Sequence, residues 1–326
     1  MTKTIKKDDK ASASAVQYKG LVVRTTGTFC SVKTEAGNIT ECTFKGKFRI
    51  DKDLRSTNPV AVGDEVMFTK NEKEESGVVV SVLPRRNYIL RKAIAHARKV
   101  HILCANVDQA VLIYTLKSPR TSTGFADRFT MIAEAYEIPV VVIINKIDTL
   151  TSEEDLADLA EAKACYESVG YSVHCVSALD EKYKETLFTI FANKLSFLGG
   201  HSGSGKSSIL NLLRPDLKIR TQVISNYNDK GMHTTTFTEM HPLIQNGYVI
   251  DAPGIKEMGL VDFNKGEISH YFPEMRKRMN DCRFNDCTHI TEPDCAVIAA
   301  VRAEEIPYSR YDSYVKIFQN QEEEDA

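Results

Sequence analysis

No apolar run in this sequence of 326 residues approaches the about 20 residues that a membrane-spanning helix requires. The N-terminal segment is polar, contains Lys and Asp, and lacks the apolar stretch that follows the charges of a secretory signal peptide. No internal repeat is visible. We therefore expect a cytoplasmic protein whose residues 1–16 form a disordered arm.

The length allows two or three domains, each with its own core. Hydrophobic residues make up 42% and charged residues 26% of the chain, which is ordinary for a globular protein. The net charge of −2 conceals an asymmetry, because residues 1–100 contain 20 Lys and Arg against 11 Asp and Glu, whereas the remainder is acidic. The basic part is expected to contact a polyanion. Scattered, solvated lysines are the alternative interpretation.

Residues 17–85 read as short strands separated by turns that contain glycine. The segments YKGLVVRTTGTFCSVKT, ITECTFKGKF and SGVVVSVLP are rich in Val and Thr, and their spacing predicts a small all-β barrel. A five-stranded barrel of the oligonucleotide-binding kind fits the length and the basic charge, and an SH3-like barrel is the alternative. Residues 84–99 contain six Arg and Lys with a tyrosine among them, and are expected to link the barrel to the next domain.

From about residue 108, buried strands alternate with helices, which predicts a mostly parallel sheet covered on both faces. We expect strands at 110–116, 140–145, 172–178 and 195–199, and helices at 125–137, 152–170 and 181–194. Ser152 should cap the second helix and Gly170 should end it. The pattern is irregular after residue 255, with a final helix near 307–319 and an acidic tail, EEEDA, that is expected to be disordered.

The strongest motif is GHSGSGKS, which has the form G-x-x-x-x-G-K-S/T. Its residues are Gly200, His201, Ser202, Gly203, Ser204, Gly205, Lys206 and Ser207. Glycines let successive backbone N–H groups face phosphate oxygens, Lys206 contacts the β- and γ-phosphates, and Ser207 offers its hydroxyl to Mg²⁺. A Gly/Ser-rich surface loop is the alternative, but the motif lies between a predicted strand and a predicted helix.

A second motif, Asn145-Lys146-Ile147-Asp148, follows a buried strand and predicts which base is bound. In such an element the Asp carboxylate accepts hydrogen bonds from the ring N–H and exocyclic amine of guanine, the Lys stem lies against the base, and the Asn ties the loop to the phosphate side. Adenine lacks both donors, so the site should reject it by about 10⁴-fold. Ser177 and Ala178, at another strand end, match the element whose backbone supports guanine.

Asp251-Ala252-Pro253-Gly254 fits a D-x-x-G element, in which Asp251 holds Mg²⁺ through water and the Gly254 amide senses the γ-phosphate. The Thr-rich segment 229–240 suits a switch, with Thr234 or Thr235 completing the Mg²⁺ shell. These motifs run in a circularly permuted order, since ordinary GTPases begin with the phosphate loop and end with N-K-x-D and S-A-x. The same site can form because each element still follows its own strand. The permutation also places the switch segment next to the C-terminal module, to which it could transmit the nucleotide state.

A cluster of four metal-ligating residues occupies the C-terminal region: Cys282, Cys287, His289 and Cys295. Three thiolates and an imidazole within fourteen residues suit tetrahedral Zn²⁺, and a site with four protein ligands is structural because it has no open position. The spacing differs from common zinc fingers, and three free cysteines in a loop are the alternative. The other five cysteines are scattered and are expected to be free thiols in a reducing compartment.

In combination, the basic barrel and the strings NKID, GHSGSGKSS, HTTT, DAPG and CRFNDCTHITEPDC resemble the RsgA/YjeQ family of circularly permuted GTPases over residues 17–319. The resemblance implies a bacterial GTPase that binds 16S rRNA and acts late in assembly of the 30S ribosomal subunit, with hydrolysis stimulated by the subunit. It implies GTP with Mg²⁺ and one structural zinc, and extends the phosphate contacts to Ser208. His201 and Ser204 replace the Gln and Val expected in other members, at variable positions of the loop.

We therefore expect a disordered arm at 1–16, an oligonucleotide-binding-like barrel at 17–85, a permuted α/β P-loop GTPase domain at 86–255, and a mostly helical zinc-binding module at 256–326. A monomer is expected, with other assembly factors as further partners. Besides Lys206, we expect His233 to be catalytic by orienting water, because Ile255 stands where small GTPases carry the water-orienting Gln. Unassisted turnover should therefore be slow, near about 10⁻³ s⁻¹. A solvated loop histidine is the alternative role for His233.

Two other functions remain open from the sequence. A P-loop kinase or ATPase acting on a small molecule is disfavoured by Asp148 and the D-A-P-G element, and nucleotide competition would test it. A constitutive RNA-binding protein with a structural nucleotide would be excluded by RNA-stimulated turnover.

Overall fold

The computed structural model describes residues 16–26, 28–44, 58–70, 76–92, 100–217, 240–251 and 264–324. Within these ranges, no helix combines the length and the apolar character needed to cross a membrane.

The N-terminal region is a closed five-stranded barrel, with strand order β1-β2-β3-β5-β4. Its strands are β1 (Gln17–Thr25), β2 (Phe29–Thr34), β3 (Ile39–Phe44), β4 (Glu65–Lys70) and β5 (Ser76–Val82). Strand β1 pairs with both β2 and β4, and β3 runs parallel to β5. This connectivity confirms the barrel of the oligonucleotide-binding kind over the SH3-like alternative. Alternate residues, including Val22, Val32 and Phe68, point inward and form the barrel core.

The basic segment after the barrel, which was predicted to link it to the next domain, contains regular structure that the sequence did not predict. It contains β6 (Tyr88–Lys92), which pairs antiparallel with β7 (Val100–Ala105) in a two-stranded sheet. Leu90 packs with Ile102 in a small apolar cluster, so burial of these side chains outweighs the charged composition of the segment. Arg85, one of the basic residues of this segment, forms a buried ion pair with Asp64 at 2.7 Å.

The central region is a six-stranded sheet with strand order β10-β9-β8-β11-β13-β12, and every pair is parallel except β12 with β13. The strands are β8 (Gln109–Tyr114), β9 (Val140–Ile144), β10 (Ser172–Cys175), β11 (Leu195–Gly199), β12 (Met240–Pro242) and β13 (Tyr248–Asp251). Its helices are α1 (Thr123–Ala135), α2 (Glu153–Val169), α3 (Lys184–Phe191) and α4 (Lys206–Leu213). The predicted parallel sheet is therefore confirmed, as are Ser152 and Gly170 at the two ends of α2.

Two apolar clusters cover the two faces of this sheet. Leu112 and Phe197 face α1 on one side, whereas Ile113 and Leu198 face α4 on the other, as expected for strands buried on both faces. From β8 the chain proceeds to β9 and β10, and β11 then lies on the opposite side of β8. Such a reversal opens a crevice at the carboxyl ends of β8 and β11, which is where ligands bind in open α/β sheets.

The C-terminal region contains α5 (Pro273–Arg276), α6 (Ala296–Arg302) and α7 (Tyr308–Glu324), with 3-10 turns between residues 265 and 281. Helix α7 packs against α1, so this module shares a core with the central α/β domain. The last helix extends five residues beyond its predicted end and includes part of the acidic tail expected to be disordered. Gln and Glu are good helix formers, which allows the helix to continue there.

Candidate nucleotide and metal sites

The loop after β11 has a backbone that glycine alone permits at two points. Gly205 has φ of 96°, and a Cβ there would lie 2.2 Å from the side-chain nitrogen of Asn145. Gly200 has φ of 155°, and a Cβ there would lie 2.8 Å from the carbonyl oxygen of Ile113. Both glycines therefore let the loop curl tightly between β11 and α4, which is the conformation that points backbone N–H groups at an anion.

Lys206 begins α4, and its ammonium lies across this loop. The Nζ atom donates hydrogen bonds to the carbonyl oxygens of Gly200 at 2.8 Å and His201 at 3.0 Å. Ser207 follows in the first turn of α4 and is buried. The positive end of the helix, the ammonium and this hydroxyl all lie at one end of the loop, so they could hold a phosphate chain with its Mg²⁺.

Asn145 joins three motifs that are far apart in the sequence. Its side-chain amide donates to the carbonyl oxygen of Ser204 in the phosphate loop at 2.9 Å, and its carbonyl accepts from the backbone N–H of Ala178 at 3.1 Å. Asn145 itself is only 2% exposed. One buried side chain therefore holds the N-K-x-D, S-A-L and phosphate-loop elements in a single arrangement, despite their permuted order.

The residues that could recognise a base lie beside this junction. Asp148 is exposed in a 3-10 turn at the end of β9, so its carboxylate can accept hydrogen bonds from a ligand. Lys146 adopts a left-handed backbone conformation, with φ of 65°, and its ammonium contacts the carbonyl oxygen of Ser118. Ser177 is buried, and its hydroxyl accepts from the backbone N–H of Leu179.

The segment between β8 and α1, together with the first turn of α1, also borders the phosphate loop, although no sequence motif predicted this. The ring of Phe125 stacks on the imidazole of His201, with 3.9 Å between their centroids. Burial, with a contribution from the nearby Lys206 ammonium, lowers the pKa of His201, which favours the neutral ring. Thr115 and Thr121 fasten this segment through reciprocal hydrogen bonds. The signal in the sequence that could have indicated this segment was the phosphate loop itself, because such a loop must pack against a neighbouring segment of the chain.

Several predicted residues lie at the limit of the described structure or beyond it. Asp251 ends β13 and pairs with Leu198 of β11, so the start of the D-x-x-G element lies beside the strand that leads into the phosphate loop. Gly254, His233, Thr234 and Thr235 fall outside the described residues, and their roles stay predictions.

The four metal-ligating side chains converge, with all their ligand atoms within 4.8 Å of one another. His289 Nδ1 lies 3.5 Å from Cys282 Sγ and 3.4 Å from Cys295 Sγ, and these two sulfurs are 3.8 Å apart. A tetrahedral zinc with Zn–S bonds of about 2.3 Å and Zn–N bonds of about 2.0 Å places two sulfurs about 3.8 Å apart and N and S about 3.5 Å apart. The donor set and spacing therefore fit zinc. Burial raises the pKa of the Cys287 thiol to about 12, so metal binding has to displace its proton.

Hydrogen bonds from outside the cluster fix the loop that carries His289. The Glu292 carboxylate accepts from the backbone N–H groups of Thr288 at 2.7 Å and Ile290 at 3.0 Å. From α7, the Tyr311 hydroxyl donates to the carbonyl oxygen of His289 at 2.8 Å, and Tyr314 donates to that of Thr288. His289 itself has a left-handed φ of 60°. The loop that carries the metal ligands is therefore positioned by α7, the helix that packs against the central α/β domain.

Comparison with known proteins identifies the family of the chain. The sequence model of the RsgA GTPase family matches residues 82–261, and that of the RsgA N-terminal domain matches residues 19–79. The chain belongs to the RsgA GTPase family. It is 44% identical over 306 residues to the small ribosomal subunit biogenesis GTPase RsgA of Flavobacterium johnsoniae, covering 93% of this chain and 94% of that protein. The protein of the same name from Bacteroides fragilis is also 44% identical, covering 94% and 97%.

Two solved structures are similar over almost their whole length. YjeQ from Thermotoga maritima aligns with a TM-score of 0.77 and 35% identity, covering 94% of this chain and 98% of that one. YloQ, described as a circularly permuted GTPase, aligns with a TM-score of 0.74 and 26% identity, covering 97% and 98%. As an RsgA family GTPase, this chain hydrolyses GTP, and such hydrolysis uses Mg²⁺ with the nucleotide.

Proposed function

We propose that this RsgA family GTPase acts in maturation of the small ribosomal subunit, where it binds 16S rRNA and hydrolyses GTP in response to the subunit. The observation that carries the proposal is similarity to relatives named for small ribosomal subunit biogenesis at 44% identity over 93% of the chain. Their similarity extends over the barrel and the metal-ligating module as well as the GTPase region, so the parts that would contact RNA are present together with the nucleotide site.

In this proposal Asn145, Lys146 and Asp148 hold guanine, with Ser177 and Ala178 supporting the base. The loop from Gly200 to Ser208 binds the phosphates through backbone N–H groups and the Lys206 ammonium. Two hydrogen bonds of Lys206 to loop carbonyls support this role, because they hold its charge beside the concave side of the loop before a ligand arrives. Ser207 and Asp251 hold Mg²⁺, with Thr234 or Thr235 completing its shell and Gly254 near the γ-phosphate.

The catalytic part of the proposal concerns water. Ile255 is apolar and cannot orient an attacking water, so hydrolysis should be slow until a partner supplies or orders another group. We assign this group to His233, and Lys206 stabilises the charge that develops on the phosphates. Binding of RNA would order the segment around His233, which is how the subunit would stimulate turnover.

For the remaining regions, we assign residues 17–85 to RNA binding, 86–255 to the GTPase domain and 256–326 to a zinc-binding module, after an arm at 1–16. The tetrahedral spacing of Cys282, Cys287, His289 and Cys295 supports one structural zinc, which supplies folding energy to a short module. The protein acts as a monomer in the cytoplasm and meets other assembly factors on the subunit.

The experiment is GTP hydrolysis by the zinc-loaded protein, alone and with purified small subunits, with large subunits and ATP as controls. We expect slow turnover near about 10⁻³ s⁻¹ alone, an increase on the order of 100-fold with small subunits, and no hydrolysis of ATP. The Lys206→Ala variant measures contamination by other GTPases. Equal turnover with and without small subunits would leave the GTPase but remove the ribosome from the proposal.

A further inference from the structure

The end of β11 and the phosphate loop that follows it contact α1 and the segment preceding α1 at three points. Phe129 lies so close to Gly199 that a Cβ at that glycine would be 2.2 Å from the ring. Phe125 stacks on His201, and a Cβ at Gly203 would lie 3.2 Å from Pro119. The last residue of β11, Gly199, and two residues of the loop, His201 and Gly203, therefore pack against this one segment, so a displacement of α1 would also displace the loop.

From its other side, α1 is held by a buried arginine of the C-terminal module. Arg310 of α7 is fully buried, and its guanidinium donates to Asp127 at 2.7 Å and to Thr130 at 2.9 Å, both on α1. The same group donates to the carboxylate of Glu274 on α5 at 2.7 Å and 3.3 Å. It also lies over the ring of Phe272, 4.9 Å from the centroid.

The contacts of Arg310 restrict the motion of α1, because charged groups that are buried away from water depend on their hydrogen bonds. Separating Arg310 from Asp127 would leave the Asp127 carboxylate buried without its ion-pair partner, so this charge-assisted contact resists displacement. Asp127 lies between Phe125 and Phe129 on α1. Its contact with Arg310 therefore restrains the part of the helix that touches the phosphate loop.

We propose that Arg310 is a positioning residue for GTP binding, which fixes α1 and thereby, through Phe125 and Phe129, the phosphate loop. The C-terminal module then contributes to GTP affinity without touching the nucleotide. The route differs from the one expected from the permuted sequence, which passes through the switch segment. The proposal concerns GTP affinity alone and does not depend on a ribosomal partner.

Two variants, each of which replaces one carboxylate partner of Arg310 by Ala, distinguish a loss of phosphate-loop positioning from a general loss of stability. Asp127→Ala removes the ion pair between α1 and Arg310, leaving the hydrogen bond to Thr130 and the pair of Arg310 with Glu274. Glu274→Ala instead removes the contact with α5 and leaves both contacts with α1. We expect Asp127→Ala to weaken binding of a fluorescent, non-hydrolysable GTP analogue by about tenfold, since small misplacements of positioning groups carry effects of this order or larger. Glu274→Ala should change binding by less than about twofold, although both variants lower the thermal unfolding temperature.

A third variant tests the same route at a half-buried position, where folding is less at risk. Phe125→Ala should reproduce most of the loss of affinity, and Phe125→Tyr should retain affinity because the stacked ring remains. The double variant with Asp127→Ala should lose less affinity than the two single losses combined, because both substitutions act on one route, in which Phe129 is the remaining contact. Equal losses in Asp127→Ala and Glu274→Ala would overturn the proposal, as would additive losses or full affinity in Phe125→Ala. Stimulation by small subunits is measured separately, so failure here leaves the proposed function standing.

Discussion

Asn145→Ala is the substitution whose effect can be worked most directly from the structure. It removes a 2.9 Å hydrogen bond to the carbonyl oxygen of Ser204 and a 3.1 Å hydrogen bond from the N–H of Ala178. If the variant loops separate and take up water when no nucleotide is bound, binding of GTP has to bring them together again, so the loss is expected chiefly in the bound state. At about 1.4 kcal/mol for each hydrogen bond, GTP should bind about 100-fold more weakly.

The assay is equilibrium titration with a fluorescent GTP analogue, together with thermal unfolding of the nucleotide-free protein. Asn58→Ala is a matched control, since Asn58 is also buried and its amide makes two hydrogen bonds to the backbone of Ile102, both at 2.9 Å, outside the nucleotide site. Asn58→Ala should lower the unfolding temperature but keep GTP affinity. If Asn145→Ala bound GTP as tightly as the unmodified protein, the idea that this amide assembles the site would be wrong.

Three further predictions concern the base, the metal and the catalytic group. Asp148→Asn should bind GTP more weakly and xanthosine triphosphate more tightly, because the amide N–H₂ can donate to the carbonyl that replaces the exocyclic amine of guanine. Competition binding measures this change, and a retained preference for GTP would contradict it. Because burial raises the pKa of Cys287 to about 12, zinc binding must release protons, so zinc affinity should rise between about pH 6.5 and about pH 8.5 when measured with a competing chelator. A flat profile would count against thiolate ligation. His233→Ala should keep GTP affinity but lose stimulation by small subunits; unchanged stimulation would sink the assignment of His233.

Much of the fold was predictable because local chemistry repeats along the chain. The alternation of Val- and Thr-rich strands with turns predicted the barrel, and apolar strands separated by helices predicted the parallel sheet. Ser152 and Gly170 marked both ends of α2, where the serine hydroxyl accepts an N–H of the first turn and the glycine adopts a left-handed φ of 106°. Each of these signals depends on residues within a few positions of one another.

The failures share a cause. The strand pair β6 and β7 was missed because a segment with many Arg and Lys resembles a solvated linker. Leu90 is buried through its packing in the apolar cluster that contains Ile102. Arg85 pairs with Asp64, which lies 21 residues away, and no local pattern in the sequence indicates this partner. Charge on a sequence therefore does not distinguish an exposed cation from one that is paired internally.

The sequence by itself determined which ligands the protein is suited to bind, a guanine nucleotide and a metal ion. The phosphate loop, the guanine-binding motif and the Cys3His set are each defined by residues close together in the sequence. Tertiary structure alone decided how they meet. Asn145 reaches the phosphate loop across 59 residues, and Arg310 reaches Asp127 across 183. Such contacts leave no periodic or local trace, because the fold can bring the partners of a buried polar group from any distance along the chain.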